Sequence, residues 1–264
     1  MSHTDRVARR PARFLAVALA GLLSLAVAAC DKGDGRVGDA LNPPGAAKDE
    51  LTNAIKALSG KPYRFAVAQD GTPVSNGAVD GKGSAQFHAT VSDPTSGASV
   101  ELDAARVDKG AYLKVDFGAL AGVVPVLGDL NRKWVKVDAK KLPGSLSKQL
   151  NAGLSADLSA LAGGVQTAEK TAGVYHGTLD LSKGAALLNT ASGGKVDPAA
   201  KALPYEATVA DGALATLKVK GLKVGTGTAD VTLTVTDVGQ PITIAKPKGA
   251  VSAPADLYSL LSAA

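Results

Sequence analysis

The chain has 264 residues, 45% of them hydrophobic and 20% charged, with a mean hydropathy of +0.10, which excludes a disordered chain and leaves material for a sizeable core. Only 4% are aromatic while glycine reaches 30 and proline 13, so the apolar content is mostly Ala, Val and Leu cut by turn formers, favouring short strands over long helices. Of the net charge of +5, Arg6, Arg9, Arg10 and Arg13 against Asp5 carry +3, so the remainder is near neutral and lacks the electrostatic footprint of a nucleic-acid binder.

Phe14 to Ala29 is uncharged throughout and ends in Val27-Ala28-Ala29, directly before Cys30, the single cysteine. A basic start, an apolar stretch and small residues at its end describe a signal peptide over residues 1–29, cleaved after Ala29. Its 16 uncharged residues fall short of the roughly 20 that a spanning helix needs, and an uncleaved anchor is the alternative. Leu25-Ala26-Val27-Ala28-Ala29-Cys30 resembles the bacterial lipobox, whose cysteine receives a diacylglycerol and becomes the mature N-terminus. No second cysteine exists to pair with Cys30. Two or three acyl chains, at about 0.8 kcal/mol per buried methylene, anchor a protein where one would not. The expected location is therefore the extracytoplasmic face of the cell membrane, with Cys30 as the lipid anchor. The spacing of Arg9-Arg10 from Phe14-Leu15 does not fit a twin-arginine signal well, and the export route stays open.

Residues 30–47 read as the lipidated cysteine and a flexible tether, because Asp31 to Ala47 is rich in Gly, Asp and Pro and has no periodic apolar face. Those 17 residues reach roughly 55 Å when extended. Gly33, Gly35 and Gly38 match a dinucleotide-binding spacing, but no strand precedes them.

The body, residues 48–264, reads as one domain. Leu51, Ala54, Ile55 and Leu58 follow helical spacing and stop at Ser59-Gly60 and Pro62. Period-two strands follow at Tyr63–Val67, Ala85–Val91, Val100–Leu102, Leu113–Phe117 and Trp134–Asp138. Turns are expected at Asp70-Gly71, Asn76-Gly77, Asp80-Gly81, Asp93-Pro94, Ser96-Gly97 and Lys109-Gly110, implying antiparallel neighbours. Pro143-Gly144-Ser145 opens a helix with Leu146, Leu150, Leu154, Leu158 and Leu161 on one stripe, ended by Gly163-Gly164. Further strands are expected at Val174–Leu181, Tyr205–Val209, Ala213–Val219, Val231–Thr236 and Ile242–Ile244, with a helical turn at Leu257–Leu261. The pattern predicts an α+β fold, a strongly bent antiparallel sheet with helices on its concave side, and a closed barrel as the alternative.

No catalytic constellation emerges, so an enzyme is not expected, nor a cofactor or a metal. Two histidines remain in the body, His88 and His176, each in a strand without a ligand partner at metal spacing, and solvated surface positions are the plain reading. The pairs Asp103 with Asp108 and Asp116 with Asp138 converge only if the fold brings them together. Phe117–Gly128 is uncharged and broken by Gly and Pro, as fits an apolar flap over a cavity or an ordinary packing loop. Ala85, Ala89, Ala104, Ala207, Ala213 and Ala215 put small side chains on the sheet faces. Either the layers close up, or an apolar void able to hold acyl chains remains.

The segments AYLKVDF, KWVKVD, YHGTLDLSK, LPYEATVADGALATLKV and VTLTVTDVGQPITI, following the lipobox and tether, resemble actinobacterial lipoproteins of the LppX and LprG kind, which share the fold of the LolA and LolB lipoprotein carriers. The most specific pieces are Tyr112-Leu113, Trp134, Gly177 with Asp180, Asp211-Gly212, and Asp237 to Pro241. The resemblance implies a half-barrel sheet enclosing an apolar cavity for the acyl chains of a lipid or glycolipid, moved or presented at the cell envelope, without catalytic residues. The expected lining is Phe65, Val67, Phe87, Val100, Leu102, Leu113, Val115, Val135, Leu217 and Val219 from the sheet, with Leu150, Leu154 and Leu158 from the helix. The alternative is a regulatory or scaffolding lipoprotein that binds another envelope protein, such as a transporter or regulator, and carries no lipid.

Overall fold

The computed structural model describes residues 45–92, 99–116, 118, 125–138, 140–141, 158–183, 201–224 and 227–263. The expected signal peptide, Ala29, Cys30, the expected tether up to residue 44, the expected turns at Asp93-Pro94 and Ser96-Gly97, Leu146, Leu150, Leu154 and most of 117–124 lie outside them. Residues Leu41–Ala264 form one compact unit.

Twelve strands make one open sheet: β1 (Pro62–Gln69), β2 (Thr72–Asp80), β3 (Ala85–Ser92), β4 (Ser99–Val107), β5 (Gly110–Asp116), β6 (Val135–Val137), β7 (Val165–Thr171), β8 (Val174–Leu179), β9 (Leu203–Ala210), β10 (Ala213–Val224), β11 (Gly227–Thr236) and β12 (Val251–Ser252). Their order is β12-β6-β5-β4-β3-β2-β1-β11-β10-β9-β8-β7. The two ends do not pair, so the sheet is open and the closed-barrel alternative falls. Every pairing is antiparallel except β6 with β12. Hairpins account for this: Asp70-Gly71, Asp108-Lys109, Ala172-Gly173 and Asp211-Gly212 all hold two successive residues at positive φ, the geometry that matches strand twist in two-residue turns. The turn expected at Lys109-Gly110 therefore falls one residue earlier, and Gly110 already pairs with Val107.

Among the described residues three α-helices accompany the sheet: α1 (Ala46–Lys56), α2 (Pro125–Leu130) and α3 (Ala255–Ala263). Helix α1 begins two residues ahead of the expected body and buries Leu51, Ala54 and Ile55, the spacing read from sequence. It packs on β7 and β10 and on the 3-10 segment Leu158–Gly164, and Glu50 ties it to Lys170 of β7 at 2.7 Å. Within the expected leucine-striped helix, the described part is that 3-10 segment, which buries Leu158 and Leu161 and runs straight into β7.

Alternation sorts the strands into two faces. The inner face carries Tyr63, Phe65, Val67, Ala85, Phe87, Ala89, Tyr175, Tyr205, Leu217, Val219, Val231 and Leu233 in one continuous core with α1. The outer face is mostly polar, with Ala105 and Tyr112 buried on it beside Ala78, Val107 and Ile244, the last three forming a small separate cluster.

Three expectations are corrected. Asn76-Gly77 is not a turn but mid-strand in β2, paired with Ala66 and Phe65. The missing Cβ of Gly77 leaves room for the Phe65 ring, since a methyl there would sit 2.5 Å from it. Strand β7 went unread because Val165 is its single buried residue, too few for alternation to show. Ile242–Ile244 is not a strand; Ile244 instead covers the outer face.

Candidate functional site

The expected cavity residues divide by position along the sheet. Phe65, Val67, Leu217 and Val219, with Leu158 opposite, are buried in the core beneath α1. Phe87 and Val135 are also buried. Val100 and Leu102 of β4, and Val115 and Leu113 of β5, are only half-buried. Leu102 pairs with Val115 and with Ala89, and Ala104 pairs with Leu113 and Phe87, so these positions share one face. Small residues sit beside them: Ala85, Ala89 and Ala104 are each about fully buried and fill little volume. Ser75, opposite Val67 and Ala89 on the same face, buries a hydroxyl that has no hydrogen-bond partner among the described residues. An apolar surface with incomplete cover can take up alkyl chains, because burial of apolar area supplies a large driving force.

The outer face carries the arrangement that sequence reading missed. His88 Nδ1 lies 2.9 Å from Asp103, whose other oxygen accepts from Lys114 Nζ at 2.6 Å. Lys114 in turn stands 5.4 Å from the centre of the Trp134 ring. Three neighbouring strands thus place histidine, carboxylate and lysine in register. The pattern repeats across β8, β9 and β10, where His176 lies 3.9 Å from Glu206, which accepts from Lys220 at 2.6 Å. The plain reading of both histidines as merely solvated is therefore corrected. The missed signal was the partner one strand away, at separations in sequence that only register fixes.

Burial disfavours the charged form of Asp103, yet the hydrogen bonds from Lys114 and His88 outweigh it and hold the carboxyl below its ordinary range. The Lys220 hydrogen bond likewise lowers Glu206 and raises Lys220. Asp116 does not meet Asp138. It accepts from Gly118 N–H and from Arg132 at 2.7 Å, and these hold it low. Asp103, likewise, is paired with Lys114 and His88, so neither forms the close carboxylate pair that acid–base chemistry uses. Among the described residues no group of three or more metal-ligating side chains comes together.

A polar cleft of about 210 Å³ on this face is lined by Arg64, Asn76, Gln86, His88, Asp103 and Trp134 among others. A larger cleft of about 560 Å³ lies at the β6–β12 edge. In the other half, Tyr205 donates its hydroxyl to the Thr167 carbonyl at 2.9 Å, and burial pushes that phenol up to about 12. Gly177 is required beside this bond, because a Cβ there would collide with the Thr167 carbonyl oxygen. Among the described residues no helix is long and apolar enough to cross a membrane. Of the expected flap, Pro125–Gly128 belongs to α2, in which Leu130 is buried.

No protein-family model and no curated protein matches the chain. Among solved structures it is similar to the crystal structure of LprF from Mycobacterium bovis, at 17% identity and a TM-score of 0.46, covering 79% of this chain and 100% of that one. LprF is a lipoprotein of the LppX and LprG kind. Another similar structure is that of a fusion DH domain, at 14% identity and a TM-score of 0.23, covering 84% of this chain and 82% of that one.

Proposed function

We propose that the chain is a non-enzymatic lipoprotein, tethered through acylated Cys30 to the extracytoplasmic face of the membrane, that holds lipid or glycolipid acyl chains and carries or presents them at the envelope. The observation that carries this reading is the half-buried apolar strip Val100, Leu102, Leu113 and Val115, flanked by buried alanines on the inner face. Alkyl chains laid on it gain about 25 cal/mol for each Å² of apolar surface removed from water. The Ser75 hydroxyl offers a polar contact at the edge of the packed core. The sequence motifs that resemble the LppX and LprG lipoproteins agree with the same use.

Native mass spectrometry with lipid extraction tests it, on protein exported in its own kind of envelope. The parent retains a defined lipid, and Leu102→Trp and Leu113→Trp, which fill the strip, lose it while remaining folded. An apo mass in the parent sinks the carrier reading and favours a lipoprotein that binds another envelope protein.

A further inference from the structure

We propose that the lysine-lined cleft at the β6–β12 edge docks the phosphate headgroups of an anionic lipid bilayer; this rests on the lipid-binding reading above and gives the side from which acyl chains enter. Lys109, Lys136, Lys140 and Lys141 line this cleft of about 560 Å³. The carboxylate in its wall, Asp138, accepts the backbone N–H of Lys140 at 3.0 Å. Four ammonium groups therefore face a single carboxylate that is already engaged. They come from separate places: Lys109 from the β4–β5 turn, Lys136 from the outer side of β6, Lys140 and Lys141 from the turn after it. Bringing like charges together costs free energy, which an array of anions repays.

Two further features at this edge point to a bilayer rather than to a soluble anion. Tyr258 of α3 lines the same cleft, its hydroxyl accepting the Asp138 N–H at 2.8 Å and its ring centre 5.8 Å from Lys141 Nζ. Val251, next to the cleft residue Ser252, is 41% exposed and is the one large hydrophobic side chain so exposed among the described residues. Lysines with a phenol and an exposed aliphatic group suit the headgroup boundary, where cations meet phosphate and apolar atoms reach the acyl region.

The geometry also suits transfer. Strand β5, bearing Leu113 and Val115, is the next strand to β6, so an acyl chain leaving a bilayer at this edge meets the half-buried strip first.

The test is co-sedimentation of the Leu41–Ala264 unit, lacking leader and acylated cysteine, with vesicles of phosphatidylcholine alone or mixed with phosphatidylglycerol. The parent binds the mixed vesicles and releases them as salt is raised. Lys136→Gln combined with Lys140→Gln, both exposed positions, lowers that binding by roughly 25-fold at an unchanged melting temperature, whereas Lys223→Gln on β10 leaves it unchanged. Equal binding of parent and double variant, or equal binding to both vesicle types, overturns the proposal. So does displacement by inorganic phosphate at constant ionic strength, which would assign the cleft to a free anion. Extracted lipid is measured in parallel: a double variant that loses vesicle binding but keeps its cargo supports docking, and a parent that docks without cargo sinks the carrier reading alone.

Discussion

Across β7–β11 and β1, the inner face is largely covered: Leu51, Ile55 and Leu58 in and just after α1, and Leu158 and Leu161 of the 3-10 segment, share one core with Tyr175, Leu179, Leu214, Leu217 and Leu233, all about fully buried, while Leu203 and Val209 of β9 stay half-buried. Across β3–β6 the same alternation operates in the same kind of hairpin, yet alanines alternate with Val100, Leu102, Leu113 and Val115 that remain half-buried. The contrast teaches that period-two patterning specifies a face and not what covers it. One half of the sheet spends its apolar surface on stability, and the other retains some for a ligand.

The largest effect that would break this comparison comes from the closed half. Leu51→Ala is expected to destabilise by about 2–5 kcal/mol, because the buried methyl groups leave a cavity. Leu113→Ala in the open half is expected to cost less than half as much. Denaturant midpoints at unchanged slope measure both, and equal losses would erase the distinction between the halves.

Next in size is Gly177→Ala. Its new methyl meets the Thr167 carbonyl oxygen and forces β7 from β8, at about 1–3 kcal/mol. A melting temperature equal to the parent's would show that this edge yields freely. Tyr205→Phe removes the hydrogen bond to that carbonyl and is expected to cost about 1 kcal/mol, seen again as a lower melting temperature.

The smallest effect concerns the outer face. Because Asp103 titrates below its ordinary range in the folded protein, its contribution is present above the unfolded carboxylate pKa of about 4 and is lost as pH falls through the folded value. Asp103→Asn should flatten that part of the acid limb, by no more than about 1 kcal/mol, since the pair is partly exposed. Stability profiles of parent and variant that stay parallel down to acid pH would show that the ladder contributes nothing.

Much of the fold was legible in the chain. Asp70-Gly71 and Asp211-Gly212 mark hairpins because a two-residue turn demands positive φ, and helix α1 shows in the spacing of Leu51, Ala54 and Ile55. Strands with a single buried residue, such as β7, and those built of small and polar residues, such as β2, gave no periodic signal. Asn76-Gly77 misled because a glycine facing an aromatic ring on the next strand has the same letters as a turn.

The sequence alone determined the alternation of β1, β3 and β11 and the reversals at Asp70-Gly71 and Asp211-Gly212, since each depends on neighbours within a few residues. Only the tertiary structure decided that β4 and β5 keep an incompletely covered face, that His88 and His176 each face a carboxylate, and that Lys109 joins Lys136, Lys140 and Lys141 at one edge. Coverage and charge clustering depend on strand order and register, and these are set by burying the whole sheet at once rather than by any local stretch of chain.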